Sequence, residues 1–401
     1  MLQKPSTFYN PHTDYQKHWS IDRHITFLNH GSFGACPLPV LQAQQQIRDQ
    51  IEKQPLQFFN REYETQIDNA RSSLAEFIGA PPDNLVFVPN ATTGINAILR
   101  SLEFQPGDEL LTTNQEYNAS RNILDFVAQN SRSQVVVAQI PFPITSEDQI
   151  ITAIMECVSP RTKLALLDHI TSQTALIFPI QKIISLLAEK GIDTLIDGAH
   201  APGMIPLNLE QIGATYYTGN CHKWLCAPKG SGFLYVAKHK QKTIRPAIIS
   251  HGANSLRQDR SRFHLEFDWV GTIDPSPYLC IPIAIQFMRS LLGNSWQELM
   301  QHNHTMALAA RTIICNTLNI NIPCPDELIG SMASIPLPQT AQDILPITSI
   351  PALQNTLWQN FKIEVPIIIF PQAPQQLIRI SAQIYNKLSQ YEYLAHTLKQ
   401  L

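Results

Sequence analysis

Thr194-Leu-Ile-Asp-Gly-Ala-His-Ala201 and, further on, Thr218-Gly-Asn-Cys-His-Lys-Trp-Leu225 decide how this chain reads. The first is a short apolar strand that ends abruptly in Asp197. The second sets Lys223 in a small, polar neighbourhood and follows it at once with Trp224 and Leu225. Either residue alone would be an ordinary helix cap or surface lysine. An acid at a strand's carboxyl end with a semi-buried lysine soon after it suits one chemistry, that of a pyridoxal phosphate site. The lysine forms a Schiff base with the cofactor aldehyde, which requires the neutral amine that burial favours. The acid hydrogen-bonds the pyridine nitrogen and keeps it protonated, so that the ring accepts electrons from a substrate's Cα.

Outward from this centre, strand and helix alternate. Leu85 to Val88 is a buried-type strand, and Ile95, Ile98, Leu99 and Leu102 follow at helical spacing, with Asn90 or Thr92 as the cap. Unpaired amides at that helix start, with hydroxyls beside them, make a natural phosphate site. Further strands are expected over 108–113, 134–138, 162–170 and 229–236, with helices over 39–54, 62–78, 146–158 and 179–191. The segment 26–35 reads as a short strand running into a glycine loop, and a long helix is expected to begin at Pro282. This alternation predicts an α/β fold: a doubly wound, mainly parallel, seven-stranded-type sheet with a smaller C-terminal α+β domain. The expected division is an N-terminal segment (1–25), a large cofactor-binding domain (26–280) and a small domain (281–401).

Asp197-Gly-Ala-His200 with His222-Lys223 resembles the class V aminotransferase family of pyridoxal phosphate enzymes (fold type I), within it the isopenicillin N epimerase-like branch. The resemblance runs over residues 25–390. It implies that Thr92 and Thr93 hold the cofactor phosphate, joined by His222 or its neighbour Asn220. Tyr117, or Asn118 beside it, packs against the cofactor ring. Ser172, with Thr174 as the weaker choice, sits near the cofactor hydroxyl, and His200 reaches the phenolic oxygen. Thr272 in Gly271-Thr-Ile-Asp274 reaches the phosphate of a neighbouring subunit, which implies a homodimer with shared active sites. Arg379, on a strand with Ile378 and Ile380, binds the substrate α-carboxylate, a task suited to a bidentate fork. Asn29 and His30 border the substrate pocket.

The remaining composition narrows the function. A net charge of −3 over 401 residues gives no basis for nucleic-acid or anionic-membrane binding, and 44% hydrophobic with 15% charged residues is a globular balance. The polar amino terminus and the lack of a spanning apolar run point to a cytoplasmic protein. Seven cysteines without a CxxC spacing indicate buried thiols and no metal site; His12, His18, His24 and His30 share no helical face. The expected substrate is an amino acid or amino-acid-derived metabolite, acted on at Cα in an epimerase-like reaction with Lys223 and Asp197 as the catalytic residues. The alternatives are a carbon–sulfur β-lyase or an aminotransferase. A cysteine desulfurase is disfavoured because Cys324 lies between prolines and far ahead of Arg379. A non-catalytic regulator is disfavoured by the absence of an attached DNA-binding helix pair.

Overall fold

The structure, a computed structural model, describes residues 14–338 and 351–401. In chain order its strands are β1 (Thr26–Phe27), β2 (Leu85–Val88), β3 (Glu109–Thr113), β4 (Gln134–Ala138), β5 (Thr162–Asp168), β6 (Asp193–Asp197), β7 (Tyr216–Asn220), β8 (Gly232–Val236), β9 (Met332–Pro336), β10 (Ile363–Glu364), β11 (Ile367–Ile369) and β12 (Gln376–Ser381). Seven of them form one sheet in the order β2-β8-β7-β6-β5-β3-β4. The run from β7 to β4 is parallel, and β8 lies antiparallel between β7 and β2.

The strands read as unbroken apolar runs because both sheet faces are covered. Successive residues point to opposite faces. Leu110, Leu166 and Leu195 pack under the helices Ala91–Ser101 and Asn118–Ser131. Leu111, Leu167 and Ile196 pack under Tyr63–Ile78 and Ile180–Ala188 on the other face. The doubly wound, mainly parallel sheet is thus as expected. The smaller C-terminal domain carries an antiparallel sheet in the order β11-β12-β9, backed by Trp296–Leu318 and Leu388–Gln400. The N-terminal β1 pairs in parallel with β10, tying the start of the chain to that region.

Two local expectations change. After the two-residue β1 the chain makes one helical turn, His30–Phe33, instead of a glycine loop. Gly31 lies inside that turn because a Cβ there would strike the Met332 sulfur, so it is a packing glycine. The helix starting near Pro282 ends at Ser290, since Gly293 and Asn294 both take left-handed backbone (φ 56° and 52°). Ser295 then caps a separate helix by accepting from the Glu298 amide. Tyr216–Asn220, ahead of Lys223, is a strand of the main sheet, so Lys223 lies in the loop just past its end. Of the expected N-terminal segment, residues 1–13, including His12, lie outside the described residues. Among the described residues no helix is long and apolar enough to cross a membrane.

Two glycines separate backbone preference from close packing. Gly107 (φ 89°) has open space where a Cβ would go, whereas at Gly34 (φ 69°) a Cβ would overlap the His222 carbonyl oxygen and lie 2.9 Å from Lys223 Cα. Gly107→Ala is expected to cost about 1 kcal/mol. Gly34→Ala is expected to cost about 2–4 kcal/mol, because the opposing atoms are backbone. Urea unfolding of both variants measures the difference; equal losses would mean that the turn carrying Lys223 yields freely.

Candidate active site

Open parallel sheets present their loops for binding at the strands' carboxyl ends, and every group described next lies there. Asp168 ends β5 and Asp197 ends β6, opposite one another in register. Glu116, in the loop after β3, completes a buried trio whose nearest carboxylate oxygens lie within 4.8 Å of one another. Asp197 is the best satisfied: its carboxylate accepts from the Ala199 amide and the Ser120 hydroxyl, both at 3.0 Å. Burial still raises its pKa. Burial and the neighbouring acids push Glu116 and Asp168 well above the carboxylate range. Glu116 Oε1 and Asp168 Oδ2 have no hydrogen-bond partner. Asp197, held by two donors, is the member of the trio best placed to carry a charge.

Lys223 sits half-buried, its Nζ 3.1 Å from His200 Nε2. Burial, then the charge of Arg379, lower its pKa to about 8 against the opposing pull of Asp197 and Asp168. His200 is buried and receives the Trp224 indole N–H on Nδ1 at 3.3 Å. His222 points its Nδ1–H at the Ser231 carbonyl (3.2 Å), and burial lowers its pKa to about 4. His30 is fully buried: its Nε2–H donates to the Lys223 carbonyl at 3.1 Å and its Nδ1 accepts from the Tyr385 hydroxyl at 2.8 Å. Its ring thus braces the backbone beneath Lys223.

Arg379, on β12, is buried and has no carboxylate within ion-pair distance among the described residues. One guanidinium nitrogen donates to the Ser172 carbonyl and, at 3.2 Å, to its hydroxyl; the other donates to the Ser32 hydroxyl at 3.0 Å. Nε has no partner. Burial lowers its pKa to about 10, and the phenol of exposed Tyr117 acts on it electrostatically. Ser32 in turn donates to Asn29 (2.6 Å), whose amide donates to Glu364 (3.3 Å). Asn118, next to Tyr117, is exposed at the start of its helix. Thr174 is buried against Thr171 and Gln115.

At the start of Ala91–Ser101, Asn90 accepts from the Thr93 amide (2.9 Å) and hydroxyl (3.1 Å), while the Asn220 side chain accepts from the Ala91 amide (2.8 Å). The Thr92 amide and hydroxyl are left for a ligand. The helix sits close to β7, since a Cβ at Gly94 would overlap Thr218. Thr272 is exposed on the loop 271–274, whose Ile273 shares an apolar cavity with Thr93, Tyr63 and Phe87.

The structure therefore brings Lys223, Asp197, His200, Ser172, Arg379 and Tyr117 close together, and leaves Thr272 on the surface. These groups fit pyridoxal phosphate: a lysine tuned toward its free amine, a buried acid held by two donors, a helix start with spare donors, and a cation lacking a counter-ion. Ser120, Asp168, Glu116, Ser32 and Trp224 escaped the sequence reading. Asp168 had a visible signal, for it ends an apolar strand just as Asp197 does; the others come together only through tertiary packing.

The sequence model of the Aminotransferase class-V family matches residues 35–273. Among curated proteins, the chain is 32% identical over 398 residues to an isopenicillin N epimerase of Amycolatopsis lactamdurans, covering 95% of this chain and 96% of that protein. It is 28% identical to a probable chloroplastic L-cysteine desulfhydrase of Arabidopsis thaliana, covering 93% and 82%. A solved structure of a C-DES variant, with glycine covalently linked to its PLP cofactor, aligns with TM-score 0.78 at 19% identity over 97% of this chain and 100% of that one. The chain belongs to the class-V aminotransferase family. It is an enzyme of that pyridoxal phosphate-dependent group.

The trio also sets a pH signature. A carboxyl whose folded pKa is raised stabilises the fold fully below its unfolded pKa, near 4, and that contribution is lost as pH rises through the folded value. Asp168→Asn removes one such group. In the cofactor-free protein it is expected to flatten the decline of unfolding free energy as pH rises above about 4, by up to about 1.4 kcal/mol per pH unit for one proton. Denaturant unfolding from pH 5 to pH 9 checks this; an unchanged slope would place the Asp168 proton elsewhere.

Proposed function

We propose that this enzyme acts at the Cα of an amino acid or amino-acid-derived metabolite, in an epimerase-like reaction. The observation that carries the reading is Arg379: a buried guanidinium with neutral hydroxyl and carbonyl partners and a spare Nε calls for an anion. Leaving such a cation uncompensated costs several kcal/mol, and a substrate α-carboxylate removes that cost with a bidentate fit. Bound pyridoxal phosphate supplies an electron sink conjugated to the substrate's Cα. Asp197 would face its ring nitrogen, His200 its phenolic oxygen, and Thr92, Thr93 and His222 its phosphate, with Tyr117 and Asn118 beside the ring.

Lys223, with its pKa near 8, takes the Cα proton on Nζ. Ser172 and Ser32 hold the guanidinium that fixes the carboxylate, and Asn29 orients Ser32. Epimerisation returns a proton to the opposite face and needs a second acid. His30 has both ring nitrogens committed, so this role falls to Tyr117, which is 44% exposed. The commitment of His30 also favours a second reading, a carbon–sulfur β-lyase, in which Lys223 alone can take the Cα proton and deliver it to the departing sulfur. Similarity to a cysteine desulfhydrase supports that reading as well. No cysteine lies between Met332 and Arg379, so a desulfurase lacks its nucleophile on that approach.

The proposal includes a homodimer in which Thr272 completes the neighbouring subunit's phosphate site. Its support is the exposure of Thr272 on a surface that also exposes Ile248, Ile249 and Ile273. Free thiols throughout the described residues agree with a reducing compartment such as the cytoplasm.

Incubation with L- and D-amino acids in deuterated water tests the reading. The epimerase-like reaction puts deuterium on Cα and interconverts enantiomers, and Tyr117→Phe abolishes interconversion. The β-lyase reaction releases pyruvate, ammonia and sulfide from cysteine and survives Tyr117→Phe. Neither result across the panel would reject Cα chemistry. Arg379→Ala is expected to lower kcat/KM by about 100-fold or more, roughly 3 kcal/mol, with cofactor content unchanged.

A further inference from the structure

Trp224 follows the lysine and is buried, yet its one polar atom is spent on a residue of the site. Its indole N–H lies 3.3 Å from His200 Nδ1, while Lys223 Nζ lies 3.1 Å from Nε2 of the same ring. The indole is a donor only, so Nδ1 must offer its lone pair. A neutral imidazole has one proton, and here it can sit only on Nε2. That proton points at Lys223.

We infer that Trp224 is a positioning residue: it locks His200 in the Nε2–H tautomer, so that the ring presents a donor to Lys223 and the lysine is satisfied only as the free amine. The inference rests on the reading of Lys223 as the reacting amine. An ammonium Nζ facing Nε2–H would set donor against donor, whereas the amine accepts the bond. The indole is well held. It is 1% exposed, packs 4.9 Å from the His30 ring, and its backbone lies so close to Gly203 that a Cβ there would sit 2.6 Å from Trp224 C. His200 stays neutral, because its burial, with the Arg379 guanidinium nearby, lowers its pKa. The titratable groups facing Lys223 are Arg379, Asp197 and Asp168. With Trp224→Phe the ring shape remains and Nδ1 loses its donor. His200 is then free to place its proton on Nδ1 and accept from the ammonium of Lys223.

Nitrogen NMR of the full-length chain labelled with ¹⁵N-histidine, with and without pyridoxal phosphate, reads the tautomer directly; His200→Gln assigns the signal. Wild type is expected to show Nε2 protonated and Nδ1 bare, and Trp224→Phe to show a mixture. In the cofactor-free chain, mass spectrometry of Lys223 after brief reductive methylation counts free amine. Trp224→Phe is expected to react about tenfold more slowly at pH 7, the consequence of a pKa rise of one unit. A wild-type ring protonated on Nδ1 overturns the inference. So does a variant with the wild-type tautomer, or one whose tautomer changes while Lys223 reacts as before. If Trp224→Phe does not fold, the wild-type tautomer decides alone. A chain that binds no pyridoxal phosphate would defeat the proposed function while leaving this tautomer result standing.

Discussion

Lys223 holds its amine where a positive charge is penalised. Burial and Arg379 bring its pKa to about 8. The acids oppose that shift only weakly, since burial and mutual repulsion raise the pKa values of Asp168 and Glu116 beside Asp197. The site therefore separates its charges instead of pairing them. The lysine is drawn toward its free amine, Asp197 keeps two donors, and one buried guanidinium has no carboxylate beside it. Close ion pairing of Lys223 or Arg379 with an acid would stabilise the chain more and leave it without chemistry, a trade expected of functional sites.

Holding an amine in this state requires a rigid turn, and the fold supplies it from three directions. Gly34 presses on the His222–Lys223 backbone, His30 bonds the Lys223 carbonyl with Tyr385 behind it, and Gly203 packs against Trp224. The short turn His30–Phe33 thus links β1, the active lysine and the C-terminal sheet. Ser32 of the same turn reaches Arg379. One tetrapeptide thus contacts both Lys223, from the middle of the chain, and Arg379, near its C-terminus.

Most of the sheet was legible in sequence because buried parallel strands are continuous apolar runs, as at Leu85–Val88 and Thr162–Asp168. Asp197 and Lys223 were legible because an acid at a strand end and a lysine among small residues are chemically out of place. The helix over 282–292 read as the start of a long one, with a further helix after 293; left-handed backbone at Gly293 and Asn294 keeps the two apart. His30 read as a pocket residue from its motif, whereas the structure gives it to the backbone of Lys223, a partner 193 residues away. Nothing local marks such a bond. The same holds for Ser120 under Asp197 and Trp224 on His200, where the polar atom is hidden in a residue whose size alone explains its burial.

The central claim is that Lys223 is the residue to which the cofactor attaches. Reduction of the purified protein with borohydride after loading with pyridoxal phosphate, followed by peptide mass spectrometry, tests it directly. The account predicts a phosphopyridoxyl group on the peptide carrying Lys223 and on no other lysine, and none in Lys223→Ala. A label on another lysine, or no label on a protein saturated with cofactor, would contradict it.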